Sequence, residues 1–259
     1  MGRKKRSPCP LAVGKARELL RRLRIRHEDE IEVELIAAEL RLFVRSRAMT
    51  TAEGRLVCSR AGGFISVADR AYRSHKWRFV VAHEIGHFLR HSQLNQLDLC
   101  KDVDLRATYR GREAEANDFA AELLMPEALF AKRCDVARPS LREVGELASA
   151  FRTSLTSAAL RFVHFSDEPC AVVHSTHGRV DWVAPTRDFL LFVPVGAKLT
   201  KTTYAGDLHA GRSVPDAPNV LGGEAWSDMR GAEDVDLVEH SRKVAASSVI
   251  TLLWHECDS

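Results

Sequence analysis

Apolar residues recur along this chain in two rhythms, and the change between them divides it. Up to about residue 165 they return every three or four positions, the spacing of helices with one buried face. Leu11, Leu19, Leu20 and Leu23 predict a basic amphipathic helix over 11–24, and Ile31, Leu35, Ile36 and Ala38 predict a second over 30–40. The run 42–44 reads as a short strand. Residues 55–59 and 63–67 flank Arg60-Ala61-Gly62 as the arms of a hairpin. Further helices are expected over 141–151, opened by Pro139-Ser140, and over 155–163. From about residue 166 the rhythm shortens: 170–174, 179–183, 189–193 and 249–255 are compact β-type runs separated by Gly, Pro and Asp, which predicts a small antiparallel sheet with insertions.

The stretch 76–89 stands out within the helical part. Trp77, Val80, Val81, Glu84 and Phe88 keep helical spacing behind a candidate N-cap at Ser74. His83 and His87 are four residues apart, so both imidazoles stand on one face and can reach a single metal ion. Glu84 is rotated by about 100° from His83, outside the ligand set but able to lie beside a water activated there. This is the His-Glu-x-x-His arrangement of metal hydrolases, with Glu84 as general base. A pair of core histidines is the plainer alternative, but a polar group inside an apolar helix is costly unless something satisfies it.

A catalytic zinc takes a third protein ligand and keeps one position open. Residues 111–126 form a run of strong helix formers between Gly111 and Pro126, with Glu113 and Asn117 on one face. Glu113 is assigned as the third ligand and Asn117 as the acceptor that fixes the tautomer of one ligand histidine. Glu115, about 200° away, is the rival carboxylate that spacing does not exclude, and Glu122 is expected on a solvated face. In the polar stretch 91–110, with a turn of helix around 97–99, Tyr109 is a candidate donor to a developing oxyanion. His91, four residues beyond His87, is a spare ligand or substrate contact by geometry, with an ordinary helix-terminal histidine as the favoured reading.

Composition narrows the classes. The chain has 259 residues, 45% hydrophobic and 28% charged, which fits two ordinary globular domains. Its 38 basic and 35 acidic residues give a net charge of +3, against a broad nucleic-acid surface. No apolar run is long enough to span a bilayer, and the basic start lacks a signal-peptide core, so a cytoplasmic location is expected. The cysteines Cys9, Cys58, Cys100, Cys134, Cys170 and Cys257 lack paired metal-ligand spacing and are expected to be reduced. The helix pair 141–165 has a helix-turn-helix outline, but its second helix offers only Arg161 and His164, which argues against DNA binding.

Arg78-Phe79-x-x-Ala82-His83-Glu84-Ile85-Gly86-His87, followed by Glu113-x-x-Ala116-Asn117-x-Phe119-Ala120-Ala121-x-Leu123-Leu124-Met125-Pro126, resembles the ImmA/IrrE family of metallo-endopeptidases. The resemblance covers roughly the first 130 to 165 residues. It implies a gluzincin-type zinc peptidase with His83, His87 and Glu113 on one Zn²⁺ per chain, Mn²⁺ being an acceptable substitute, and Glu84 as base. It further implies cleavage of a helix-turn-helix repressor or antitoxin-like partner in a stress or mobile-element response. The alternative is a zinc-containing regulator that binds a repressor or toxin without cutting it. The expected fold class is α+β: a mainly helical zincin-like peptidase domain with a small N-terminal sheet, then a helix pair and a β-rich C-terminal domain. The expected divisions are a basic disordered tail over 1–10, the peptidase domain with its helix pair over 11–165, and a sensor or regulatory domain over 166–259.

Overall fold

A computed structural model of the chain describes residues 7–50, 52–59, 61–91 and 111–255, except that the side chain of His91 is not described. It is an α+β protein whose contacts group into two compact units, Met1–Leu129 with Ala150–Ser154, and Phe130–Ser149 with Leu155–Ser259. Of the expected disordered tail over 1–10, residues 1–6 lie outside the described residues, as does the expected turn of helix at 97–99, whereas Cys9 N–H is held by Asp118 at 2.7 Å and Pro10 is already helical.

The first unit begins with α1 (Pro10–Arg22) and α2 (Val33–Glu39). A three-stranded sheet follows, made of β1 (Leu42–Arg47), β2 (Gly54–Ser59) and β3 (Gly62–Ala68). The strand order is β1-β3-β2, with β1 parallel and β2 antiparallel to β3. Then come α3 (His75–His91) and α4 (Arg112–Leu124), with the short α5 (Glu127–Phe130) after them. Ser74 Oγ accepts the Trp77 N–H at 3.3 Å, the expected N-cap.

The core of this unit is made where α1 and α3 pack on α4. It contains Ala12, Ala16 and Leu19 from α1, Val80, Val81 and Ile85 from α3, and Phe119, Ala120 and Leu123 from α4. Gly86 sets the helix separation, because a Cβ there would come within 3.0 Å of Phe119 Cδ1. Two helical faces differ from the expected ones. Leu11, Leu35 and Ala38 are exposed, while Ile36 turns inward as expected and is joined there by Val33 and Ala37. The second helix starts three residues later than its apolar spacing suggests, after a 3₁₀ turn over Glu28–Glu30, and that offset rotates the buried stripe.

The second unit holds α6 (Leu141–Ala150), α7 (Leu155–Phe165), β4 (Cys170–Thr176), β5 (Arg179–Pro185), α8 (Tyr204–His209), β6 (Asn219–Gly222), β7 (Asp236–Ala245) and β8 (Ser248–Trp254). The strands form one antiparallel sheet in the order β5-β4-β8-β7-β6. Side chains on a strand alternate between faces, and β7 uses this for polar anchoring. Glu239 accepts the Ala205 N–H at the start of α8 and the Trp226 Nε1–H, at 2.7 and 2.8 Å. Its neighbour His240 accepts the Leu141 N–H that opens α6, at 3.1 Å.

Residues 189–193, expected as a strand, join no ladder. Their side chains do alternate, with Phe189, Leu191 and Val193 buried against the sheet. The backbone donors, however, are taken by side chains: Leu190 N–H by His255 Nε2 and Phe192 N–H by Met229 Sδ. No described helix is long and apolar enough to cross a membrane.

Candidate metal centre

α3 is buried all round from Val80 to His87, so His83, Glu84 and His87 lie in the core of the first unit and not on its surface. His83 and His87 turn the same way, with ring centroids 4.6 Å apart and Nε2 atoms 3.0 Å apart. From the first turn of α4, Glu113 brings its carboxylate to both rings. Oε2 is 3.2 Å from His83 Nε2, and Oε1 is 3.3 Å from His87 Nε2. One ligand atom from each of the three residues lies within 4.8 Å of the others.

Asn117, one turn along α4, meets the other side of His83: its Oδ1 is 2.8 Å from Nδ1. An amide oxygen only accepts, so Nδ1 donates to it and Nε2 is the His83 nitrogen that faces the cluster. Two imidazole nitrogens and a carboxylate converging on one point are a donor set that suits a divalent cation and that no hydrogen-bond pattern among the three fully satisfies. The residues present therefore fit a zinc ion.

Burial alone would raise the Glu113 pKa, but hydrogen bonds and charge from His83 and His87 outweigh it and hold the carboxyl well below the usual carboxylate range. Glu115 takes no part. It is paired with Arg90 at 2.5 Å, on the far side of the α4 turn, leaving Glu113 as the carboxylate beside the imidazoles.

Glu84 lies against the backbone of β2. A Cβ on Gly54 would come within 2.7 Å of Glu84 Oε1 and 2.5 Å of Val80 Cγ1, so the strand passes there only because residue 54 has no side chain. Gly54 thus belongs to the site, although the sequence marks it only as an unremarkable residue ahead of a hairpin. Glu53 beside it is held by Arg70 and Lys76, at 2.6 and 2.7 Å.

One expectation is corrected: Glu122 is not on a solvated face but is buried and paired with Arg17 of α1 at 2.7 Å. Tyr109 and the side chain of His91 lie outside the described residues.

The family model for the Peptidase_M78, IrrE N-terminal-like domain matches residues 37–163. This segment belongs to the ImmA/IrrE family. The match spans the sheet, the α3 and α4 motifs and the α6–α7 pair. The fold is also similar to that of a solved Mycobacterium tuberculosis transcriptional regulator. That likeness has a TM-score of 0.60 at 13% identity, over 96% of this chain and 77% of the other. No curated protein matches the chain significantly. The IrrE-type segment ends in α7, so the β4–β8 sheet lies beyond it.

Proposed function

We propose that the protein is a zinc-dependent endopeptidase, and that its substrate is a helix-turn-helix transcriptional repressor or an antitoxin-like partner in a stress or mobile-element response. The observation that supports this most is the convergence of His83, His87 and Glu113 with a buried carboxylate, Glu84, one residue after the first ligand. In this reading His83, His87 and Glu113 hold the ion, and Asn117 orients His83. When bound, zinc supplies Lewis acidity to water and to the scissile carbonyl. Glu84 takes a proton from the attacking water on its carboxylate and returns it to the leaving amine nitrogen. Burial of Glu84 removes competing solvent from that transfer and strengthens its electrostatics. Mn²⁺ fits the same two-His, one-carboxylate set.

The helix pair supports protein recognition over DNA recognition. Arg161, the cation a recognition helix would present, is buried with its guanidinium 4.6 Å over the Phe165 ring. A non-hydrolysing zinc-containing regulator is the second reading, favoured by the similarity to a protein described as a transcriptional regulator. A site that only stabilises the fold has no need of a base beside it.

The experiment is to measure metal content and cleavage together for wild type, Glu84→Gln and His83→Ala, with the helix-turn-helix protein encoded nearest to the gene as substrate. One zinc per chain in wild type and Glu84→Gln, with a discrete cut by wild type alone, is the expected result. Zinc retained with binding but no cut by wild type would favour the regulator, and a Glu84→Gln protein cutting at the wild-type rate would end the assignment of the base.

A further inference from the structure

Among the described residues nothing covers the outer face of the three-stranded sheet, and that face is not neutral. Phe43, Phe64 and Val57 stand directly across from one another on β1, β3 and β2. They are 62%, 46% and 37% exposed, with the two rings 5.8 Å apart. Three adjacent strands showing their apolar side chains outward form a patch, and contiguous exposed patches mark interaction sites more often than scattered residues do. Alternation puts Arg45, Arg47 and Arg55 on the same face, and none of the three strands contains an Asp or Glu.

We propose that this face docks a protein segment in which carboxylates flank aromatic or aliphatic side chains. The charge is one-sided, and neither Arg47 nor Arg55 is ion-paired with a described residue, so the face is complementary to an acidic partner. Arg45 is already fixed in position, since its Nε donates to Ser66 Oγ at 3.1 Å and its guanidinium sits 5.0 Å over the Phe64 ring. That same stacking favours a peptide over single-stranded nucleic acid. Base stacking needs open ring faces, and Phe64 has Arg45 on one face and Phe43 beside it, while Val57 offers no ring at all. Exposed ion pairs are weak singly, so the apolar row supplies the contact area and the arginines select the sign of the partner. Docking of this kind does not depend on the metal or on cleavage.

The test is fluorescence anisotropy with the full chain and a labelled peptide of about twelve residues alternating Glu with Leu and Phe, long enough to lie along the strands. The same-length Lys analogue, polyglutamate and oligo-dT serve as comparisons, and mass spectrometry checks that the probes stay intact. The expected result is selective binding of the Glu peptide, weakened at least about tenfold in Phe43→Ser/Phe64→Ser. Arg45→Glu/Arg47→Glu/Arg55→Glu should reverse the preference toward the Lys peptide, which also shows that the altered sheet is folded. Equal binding by wild type and both variants, polyglutamate binding as tightly as the mixed peptide, or a preference for oligo-dT would each overturn the proposal.

Discussion

Asn117 Oδ1 accepts the Nδ1–H of His83 at 2.8 Å, so a residue of α4 decides which nitrogen of an α3 histidine faces the candidate metal centre. Replacing it with Ala removes the acceptor but leaves all three donor side chains. Asn117→Ala should weaken zinc binding by roughly 10- to 100-fold, as loss of such outer partners does in metal sites. Competition with a chromophoric chelator reads this out, and an unchanged affinity would remove Asn117 from the site.

Gly54→Ala should separate metal binding from catalysis. The added Cβ meets Val80 Cγ1 and Glu84 Oε1 and does not touch the His83, His87 and Glu113 donors. Displacing Glu84 is expected to lower cleavage by about 100-fold, the scale of a lost general base, while zinc content stays near one per chain. Loss of zinc as well would place the strain on α3 as a whole.

The contact between Gly86 and Phe119 makes opposite changes costly at one spot. Phe119→Ala empties a fully buried site and should cost about 3–5 kcal/mol. Gly86→Ala overfills it, since the new methyl would lie 3.0 Å from the ring edge, and should cost about 1–3 kcal/mol. Because each helix carries candidate metal ligands, denaturant melts with and without zinc should show both variants more dependent on the metal than wild type.

Acid should loosen the second unit through His240 and His209. Burial lowers the His240 pKa below 6.5, with Arg242 adding to it, and burial and Lys243 do the same for His209. The unfolded chain then binds these protons more readily than the folded one, so stability falls as pH drops from about 6.5 through the folded pKa values. A protonated His240 Nδ1 also cannot accept the Leu141 N–H. Melting temperature measured between pH 7.5 and pH 5 should fall in wild type. The slope should be shallower in His240→Leu, which is less stable throughout; parallel slopes would show that His240 does not titrate in this range.

The His83, His87 and Glu113 cluster was legible because its parts are local. His83 and His87 share a helical face by spacing alone, and Glu113 and Asn117 share another. What spacing could not give was how distant segments meet. Glu122 looked solvated because its partner, Arg17, is 105 residues away. Gly54 gained its role only when β2 was laid against α3. β7 went unread because Glu239, His240 and Ser241 make it look like a polar surface segment, although all three are buried. The run 189–193 misled in the opposite sense: its alternation is real, but His255 and Met229 take the place of a neighbouring strand.

Glu239 and His240, side by side on β7, each hold the start of a helix, α8 on one face of the sheet and α6 on the other. Sliding β7 by one position past β8 would exchange the two faces, giving the α6 amide a carboxylate and facing the α8 amide and the Trp226 indole with an imidazole. Greasy side chains can be traded across such a slip with little to tell the alternatives apart, but an acid and a base cannot. The alignment of the central strands is thus written in two adjacent polar letters, which work as a key that enters its lock one way round.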